Sequence, residues 1–312
     1  MKTLLLSCMS LFWLVSVARA QQSSSSSDKG PLLGESKTQS WRIGAKLSAN
    51  GAVGKNVVAA MPFPKEWPEQ TVKVVKEDVP SGAKVSYKPA TSGATQLLIT
   101  VASLSGEKQA TVTIEVTRSA LTPPTETGHF VVPEAARLKA DMRVFLTPSH
   151  HIESDNPKFQ TLAKEITADK VLAWQRVEAI YDWTREHVKD RNSADKGALA
   201  DVQNGSGDGV EISSVFVALC RAAGVPARLV WLPRHCHPEF YLEDQQGQGH
   251  WFPCRAAGKR EFGGLTEHRP ILSKGDKFPS PDRPRETERF VAENVTGFAG
   301  KPTAQFIREL AK

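Results

Sequence analysis

The chain has 312 residues, which is enough for roughly two domains of ordinary size. Its formal net charge is +6, from 40 Lys and Arg residues against 34 Asp and Glu residues. The basic residues form no concentrated block with interleaved aromatic side chains. The composition therefore argues against a nucleic-acid-binding protein and is typical of an ordinary solvated surface.

The first 20 residues have the pattern of a secretory signal peptide. Lys2 precedes an apolar run over residues 4–17, and residues 18–20 form an A-x-A-like cleavage site. No later stretch approaches the roughly 18 apolar residues that a membrane-spanning helix needs. We therefore expect a protein that is secreted, or lies in the periplasm or cell envelope, with no membrane span after cleavage. Residues 21–39 include five consecutive serines and predict a flexible tether.

Residues 40–120 predict a small all-β sandwich domain. They alternate between apolar and polar side chains, are rich in Val, Ile and Thr, and carry turn residues about every ten positions. The predicted strands cover 41–47, 57–60, 72–76, 84–87, 96–102 and 110–117. Residues 121–133, which include two consecutive prolines, predict a linker to a second domain over 134–312.

The second domain is predicted to begin and end with helices. A short helix over 159–166 has Asn156 as its candidate cap and Pro157 at its first position, and a longer helix covers 170–188. Two closing helices are predicted over 286–294 and 303–310.

The middle of this domain, residues 205–255, predicts a loop, a buried helix and a β-hairpin. Ile212, Val215, Phe216, Leu219 and Ala223 have the spacing of one helix face, and Gly224 ends that helix. Residues 229–231, 239–242 and 250–254 then predict strands, with a polar turn before the last one.

This middle stretch resembles the core of the transglutaminase-like superfamily, which shares the papain-like thiol-hydrolase arrangement. The resemblance rests on the segment FVALCRAAGVPAR over 216–228, on His235 and Glu239 in the following strand, and on GHWFPC over 249–254. It implies an α+β domain with a helix packed on an antiparallel sheet, placed after a small β-sandwich. It also implies an acyl-transfer or peptidase ancestry.

The same resemblance implies a Cys-His-Asp triad, of which this chain retains one member. The nucleophilic Cys, whose pKa a helix N-terminus would lower, corresponds to Gly209. The catalytic His corresponds to His235, and the Asp that orients it corresponds to Arg255. Glycine has no nucleophile, and an arginine is a poor partner for an imidazole that must become cationic. The usual thiol chemistry is therefore not expected.

Other polar residues near these positions are candidates for a binding groove. His235, His237 and Glu239 alternate on one face of a strand, and Trp251 lies on the next strand. Asp208 and Glu211 flank Gly209. Three interpretations remain open: an altered active site or groove, a zinc site formed by the imidazoles and a carboxylate, or a hydrogen-bonded polar surface with a helix cap. We predict no resident metal and no cofactor.

The cysteines that remain after signal cleavage are Cys220, Cys236 and Cys254. If His235 and Arg255 face each other as the resemblance implies, Cys236 and Cys254 also face each other, which predicts a cross-strand disulfide in an exported protein. Cys220 is expected to be a small buried hydrophobic residue.

The function expected from these observations is a non-catalytic, exported transglutaminase-like protein that binds a peptide or amide-bearing polymer. One alternative is a hydrolase or amide transferase of altered mechanism, in which His235 acts with an acidic residue or a metal. A second alternative is a structural component of the cell envelope. Metal content separates the enzyme from the other two.

Overall fold

A computed structural model describes residues 30–49, 51–90, 93–191, 197–283 and 285–311. The predicted signal peptide and most of the predicted tether lie outside these residues. Within them, the strands of the N-terminal half are β1 (Leu32–Ala49), β2 (Gly54–Phe63), β3 (Gln70–Asp78), β4 (Ala83–Pro89), β5 (Thr95–Leu104) and β6 (Glu107–Thr122). They confirm the strands predicted between residues 41 and 117.

The second half combines helices with short and long strands. The helices are α1 (Ala140–Arg143), α2 (Pro157–Thr167), α3 (Ala173–His187), α4 (Ala198–Asn204) and α5 (Gly209–Ala222), with a 3-10 turn at Val144–Leu146. The strands are β7 (Lys189–Asp190), β8 (Ser206–Gly207), β9 (Ala227–Leu232), β10 (His235–Glu243), β11 (Gly249–Arg255), β12 (Glu261–Phe262), β13 (Ser273–Lys274), β14 (Phe278–Pro279), β15 (Thr287–Glu288), β16 (Asn294–Phe298) and β17 (Pro302–Leu310).

Two antiparallel sheets form the sandwich among the described residues, in the orders β17-β1-β6-β3 and β16-β2-β5-β4. Alternate side chains of each strand point between the sheets, because successive residues of a strand face opposite sides. The buried layer includes Trp41, Ile43, Leu47, Val57, Met61, Leu97, Ile99, Val112 and Ile114. This layer explains why the Val- and Ile-rich alternation was a reliable signal of strands.

The predicted tether ends earlier than expected. Residues 32–39 belong to β1, where they pair with β6 instead of forming a flexible segment. The side chains of residues 35–38 are polar and exposed, and hydroxyl pairs bridge the two strands, Ser36 to Ser119 at 2.8 Å and Thr38 to Thr117 at 2.7 Å. The sequence did not predict this part of the strand, because backbone pairing with β6 and not the burial of apolar side chains holds it in place.

The two predicted closing helices are wrong. Residues 287–288, 294–298 and 302–310 are strands, and the last two join the sandwich: β16 pairs with β2, and β17 pairs with β1. Ala304 and Phe306 pack against the sandwich core with a period of two. These segments are short, and the unpaired edge of β1 offers hydrogen-bond partners to residues 302–310, so that segment forms a strand and not a helix.

The helices and hairpin surround a separate core. α5 packs on the antiparallel sheet β12-β11-β10-β9-β13, and Phe216 of α5 lies 6.4 Å from Phe240 of β10 between ring centroids. Trp174 of α3 covers the same sheet, 5.6 Å from Phe240 and 5.1 Å from Phe252. This confirms the predicted α+β core of a helix on an antiparallel sheet. α2 begins as predicted, with the Asn156 side chain accepting a hydrogen bond from the Lys158 amide.

None of the helices in the described part of the chain is long and apolar enough to cross a membrane.

Candidate functional site

The start of α5 is fixed by a capping box. The Asp208 carboxylate accepts hydrogen bonds from the amides of Val210 at 2.8 Å and Glu211 at 3.0 Å. Glu211 in turn accepts a hydrogen bond from the Asp208 amide at 2.7 Å. The D-x-x-E spacing therefore ends the loop and begins the helix at Gly209. Both acidic residues that flank the nucleophile position contact the backbone of the helix start.

Gly209 leaves open space at the first residue of α5. A Cβ atom added there would meet no heavy atom within 4 Å, apart from its chain neighbours and its own helix backbone. At Gly207, by contrast, an added Cβ would lie 2.9 Å from the Cβ of Glu211. Crowding therefore explains the glycine at 207 but not the one at 209. Nothing in the local packing excludes a cysteine from the nucleophile position.

His235 is the first residue of β10 and follows a two-residue turn, Pro233-Arg234. Its side chain is half-buried, and its ring makes no hydrogen bond to any described residue. Burial lowers the pKa of His235, and the positive charge of Arg269 lowers it further. At neutral pH the ring is therefore an uncharged imidazole without an orienting partner.

Arg255, which the resemblance aligns with the orienting acid, forms an ion pair. Its Nε donates to the Glu261 carboxylate at 2.6 Å, and its side chain is 21% exposed. Its charge also contributes to lowering the pKa of His235. An aspartate at this position would favour the protonated imidazole, whereas Arg255 disfavours it.

His237 and Glu239 share a strand face with His235, as predicted, but are enclosed in a buried ionic network. Glu239 accepts from Arg228 at 2.7 Å and from Lys274 at 2.9 Å, and Lys274 also reaches Glu69 at 2.6 Å. Burial alone would raise the pKa of Glu239, but Lys274 and Arg228 hold it well below its usual range.

His237 is 2% exposed, and burial lowers its pKa well below the usual value. His237 is therefore enclosed, whereas Glu239, although buried and ion-paired, contributes to the wall of a cavity.

Two separate cavities lie near the predicted site residues. The first, of about 460 Å³, is lined by Val210 after the start of α5, by Trp231 and His235 of the hairpin, and by residues 290–293 of the C-terminal segment. The second, of about 640 Å³, is lined by Glu239, Trp251 and Trp67. Trp251 stacks under the guanidinium of Arg228 at 3.7 Å from the ring centroid. The predicted groove residues are thus divided between two cavities and a helix cap.

The predicted disulfide is not formed. Cys236 and Cys254 are free and buried, as is Cys220. β10 and β11 pair Glu239 with Pro253, so the register carries Cys254 to a place beside Pro238, where its thiol lies 3.8 Å from the Pro238 carbonyl. The observed register of β10 on β11 therefore differs from the one that the resemblance implied, and Cys236 does not lie opposite Cys254. Burial raises the pKa of Cys236 to about 12, although a hydrogen bond from Ser213 opposes this effect.

The zinc interpretation gains no support from the part of the chain that the structure describes. Within those residues, no group of three or more His, Cys, Asp or Glu side chains is arranged to hold a metal ion. The carboxylates predicted as possible ligands are already engaged, because Asp208 and Glu211 form the capping box and Glu239 is paired with two cations.

Comparison with known proteins supports the resemblance of this core to the transglutaminase-like superfamily. Residues 160–256, which contain α5, β9, β10 and β11, match the family model of the transglutaminase-like superfamily. The chain contains a transglutaminase-like domain. No curated protein sequence matches the chain.

Solved structures show a similar fold. The chain is similar to a candidate cysteine protease from Cytophaga hutchinsonii, with a TM-score of 0.57 and 15% sequence identity, over 90% of this chain and 94% of that one. At this identity the likeness concerns the fold alone. A candidate protease from Parabacteroides distasonis aligns over 78% of this chain and 48% of that one at 11% identity, with a TM-score of 0.29 that is too low to support an argument.

Several residues around the transglutaminase-like site were missed from the sequence. Phe290 and Arg308 line the first cavity, but their segments had been predicted as separate closing helices. Lys274 and Glu69, which complete the buried network, are separated by about 200 residues along the chain. The turn residue Arg234 carried a signal, because Pro233 before it marks a tight connection between two strands.

Proposed function

We propose that this chain is an exported transglutaminase-like protein that lacks thiol catalysis and binds a peptide or amide-bearing polymer in the cavity beside His235. The observation that carries the proposal is Gly209, which leaves the helix start without a nucleophile and with open space. The cavity beside it remains, with a volume of about 460 Å³. A fold that keeps its cleft and loses its nucleophile is suited to binding without turnover.

The state of the retained histidine supports the same conclusion. A base in a thiol enzyme must accept a proton and be stabilised as a cation. His235 has a lowered pKa, no hydrogen-bonded carboxylate and a nearby guanidinium. It is better suited to contact a ligand as a neutral imidazole than to hold a proton during catalysis.

An altered hydrolase based on Asp208 or Glu211 is less well supported. Each carboxylate accepts backbone hydrogen bonds at the start of α5, so its use as a general base would compete with its capping role. The structural-component alternative is addressed by the same binding experiment.

The test is a binding and turnover experiment on the mature protein. Pools of fluorescent peptides are titrated into wild type, His235→Ala and the control His187→Ala, whose exposed ring stacks on Trp183 away from the cavity. We expect saturable binding that His235→Ala weakens and His187→Ala does not, with no peptide cleaved or transferred. Turnover would favour the altered enzyme, and no binding to any pool would favour the structural component.

A further inference from the structure

The cavity beside His235 has polar groups without partners. Ser273 lines it, is 1% exposed, and its hydroxyl makes no hydrogen bond to the described residues. The Nε of Arg308, also in the wall, is buried and lacks a partner, although the same guanidinium pairs with Glu293 through another nitrogen. A buried donor left without an acceptor destabilises the protein unless a ligand or water satisfies it.

A third donor lies at the rim of the same cavity. Arg234 is exposed, and among the described residues it has neither an ion pair nor a hydrogen bond from its guanidinium. Its backbone is held at a φ of +57°, where glycine or asparagine is far more usual than arginine. Glycine or asparagine at position 234 would adopt this backbone conformation more easily, but the chain has an arginine there. A residue held in such an unusual conformation supports a hypothesis of function.

The charges of the lining residues favour an anionic ligand. Two guanidinium groups, Arg234 and Arg308, face one carboxylate, Glu293, so the cavity has an excess of one positive charge. His235 adds no charge at neutral pH, because burial lowers its pKa. An arginine only donates hydrogen bonds, so the buried Nε of Arg308 needs an acceptor and the exposed Arg234 can approach the same ligand. A carboxylate is the planar acceptor that guanidinium fits best.

The remaining wall is apolar and fits a single large side chain. Trp231 and Phe290 pack edge to face with ring centroids 5.6 Å apart, and Phe290 is 48% exposed. Leu232 and Leu272 complete this apolar wall. A volume of about 460 Å³ lies at the lower end of the range for ligand pockets, roughly 300–1,000 Å³, which suits one or two residues and not a long peptide.

We propose that this cavity recognises the free C-terminal carboxylate of a peptide whose last side chain is large and apolar. Arg234 and Ser273 donate to the carboxylate, and the ring or branched side chain packs against the apolar wall that Trp231 and Phe290 form. This inference rests on the proposed function and names the ligand class of the same site.

The experiment compares two peptides by titration calorimetry: acetyl-Ala-Ala-Phe with a free carboxylate, and the same peptide as its C-terminal amide. The protein variants are Arg234→Asn, Ser273→Ala and the control Arg137→Asn, which changes an exposed arginine that does not line the cavity. Asparagine suits the left-handed backbone at 234, so this variant removes the guanidinium without straining the turn. A melting temperature equal to or above that of wild type verifies that it is folded.

We expect the acid to bind at least tenfold more tightly than the amide, as charge-assisted hydrogen bonds to a carboxylate would produce. Arg234→Asn should lower the ratio of acid affinity to amide affinity about tenfold, and Ser273→Ala should lower it severalfold. Arg137→Asn should leave this ratio unchanged. Equal binding of acid and amide, both weakened by His235→Ala, would overturn the carboxylate inference and leave the proposed function standing. Binding of neither probe would also overturn this inference, and the peptide pools would then decide the proposed function separately.

Discussion

Placing a cysteine at Gly209 is the most direct test of the proposal that this site lacks thiol catalysis. An added Cβ meets no heavy atom of another segment within 4 Å, so Gly209→Cys introduces no clash. Glycine within a helix costs about 0.5–1 kcal/mol relative to alanine, because it loses more backbone freedom on folding. We therefore expect the free energy of unfolding to stay the same or rise by up to about 1 kcal/mol, measured by urea unfolding.

The new thiol should react where the native ones do not. A helix N-terminus lowers a thiol pKa, but the carboxylates of Asp208 and Glu211 beside it oppose this effect. We expect a pKa near the ordinary value of about 8.5, with a few per cent thiolate at pH 7. The native thiols are buried, and Cys236 has a pKa raised to about 12.

Intact-mass alkylation with iodoacetamide measures this difference. The folded variant should gain one adduct while folded wild type gains none, and denatured wild type should gain one adduct for each of its native cysteines without prior reduction. An unmodified folded variant would show that the helix start is not open. Rapid labelling of folded wild type would show that a native cysteine is reactive.

Catalysis should still require a change at the position of the orienting acid. Arg255→Asp alone would place a second carboxylate against Glu261, whose oxygen now lies 2.6 Å from the arginine Nε. The charge swap Arg255→Asp with Glu261→Arg avoids this repulsion. We expect acylation by an activated ester to rise about 10²–10⁴-fold when the swap is added to Gly209→Cys, the range that general-base catalysis supplies. An active single variant would refute the argument that Arg255 blocks the histidine.

Three further predictions concern stability. Lys274→Met removes the ion pair of the buried Glu69 carboxylate and leaves the buried Glu239 with Arg228 alone, so the free energy of unfolding should fall by about 3–5 kcal/mol. The exposed control Lys46→Met should lose less than about 1 kcal/mol, and equal losses in urea unfolding would contradict the importance of the buried network. Asp208→Ala removes the α5 cap and should cost about 1 kcal/mol in the same assay, and an unchanged midpoint would mean the cap is dispensable. Burial would raise the pKa of Glu267, but Arg269 outweighs this effect and lowers the pKa to about 2. The ionised Glu267 therefore stabilises the fold above its ordinary pKa, and this contribution is lost as pH falls from about 4.5 to 2. Melting temperatures of Glu267→Gln should vary less over that pH range than those of wild type, and parallel curves would refute this argument.

The sequence alone determined the local features of this protein. Alternating Val, Ile and Thr specified the strands between residues 41 and 117, because period-two burial is visible in the chain itself. The D-x-x-E box and the apolar face of residues 212–219 specified α5, since capping and helix periodicity involve residues only a few positions apart. The resemblance also predicts a glycine and an arginine at the Cys and Asp positions of the triad, Gly209 and Arg255, and this prediction rests on residue identity.

Only the tertiary structure decided how segments that are distant in the sequence pair and pack. Residues 302–310 are a strand because the edge of β1 offers them backbone partners more than 250 positions away, which no local pattern encodes. The register of β10 on β11, fixed across the whole hairpin, separates Cys236 from Cys254. The unpartnered donors Ser273 and Arg308 share a cavity with His235 only because the C-terminal segment folds back across the hairpin. Local propensity acts over a few residues, whereas strand pairing and cavity walls depend on which surfaces meet once the chain is folded.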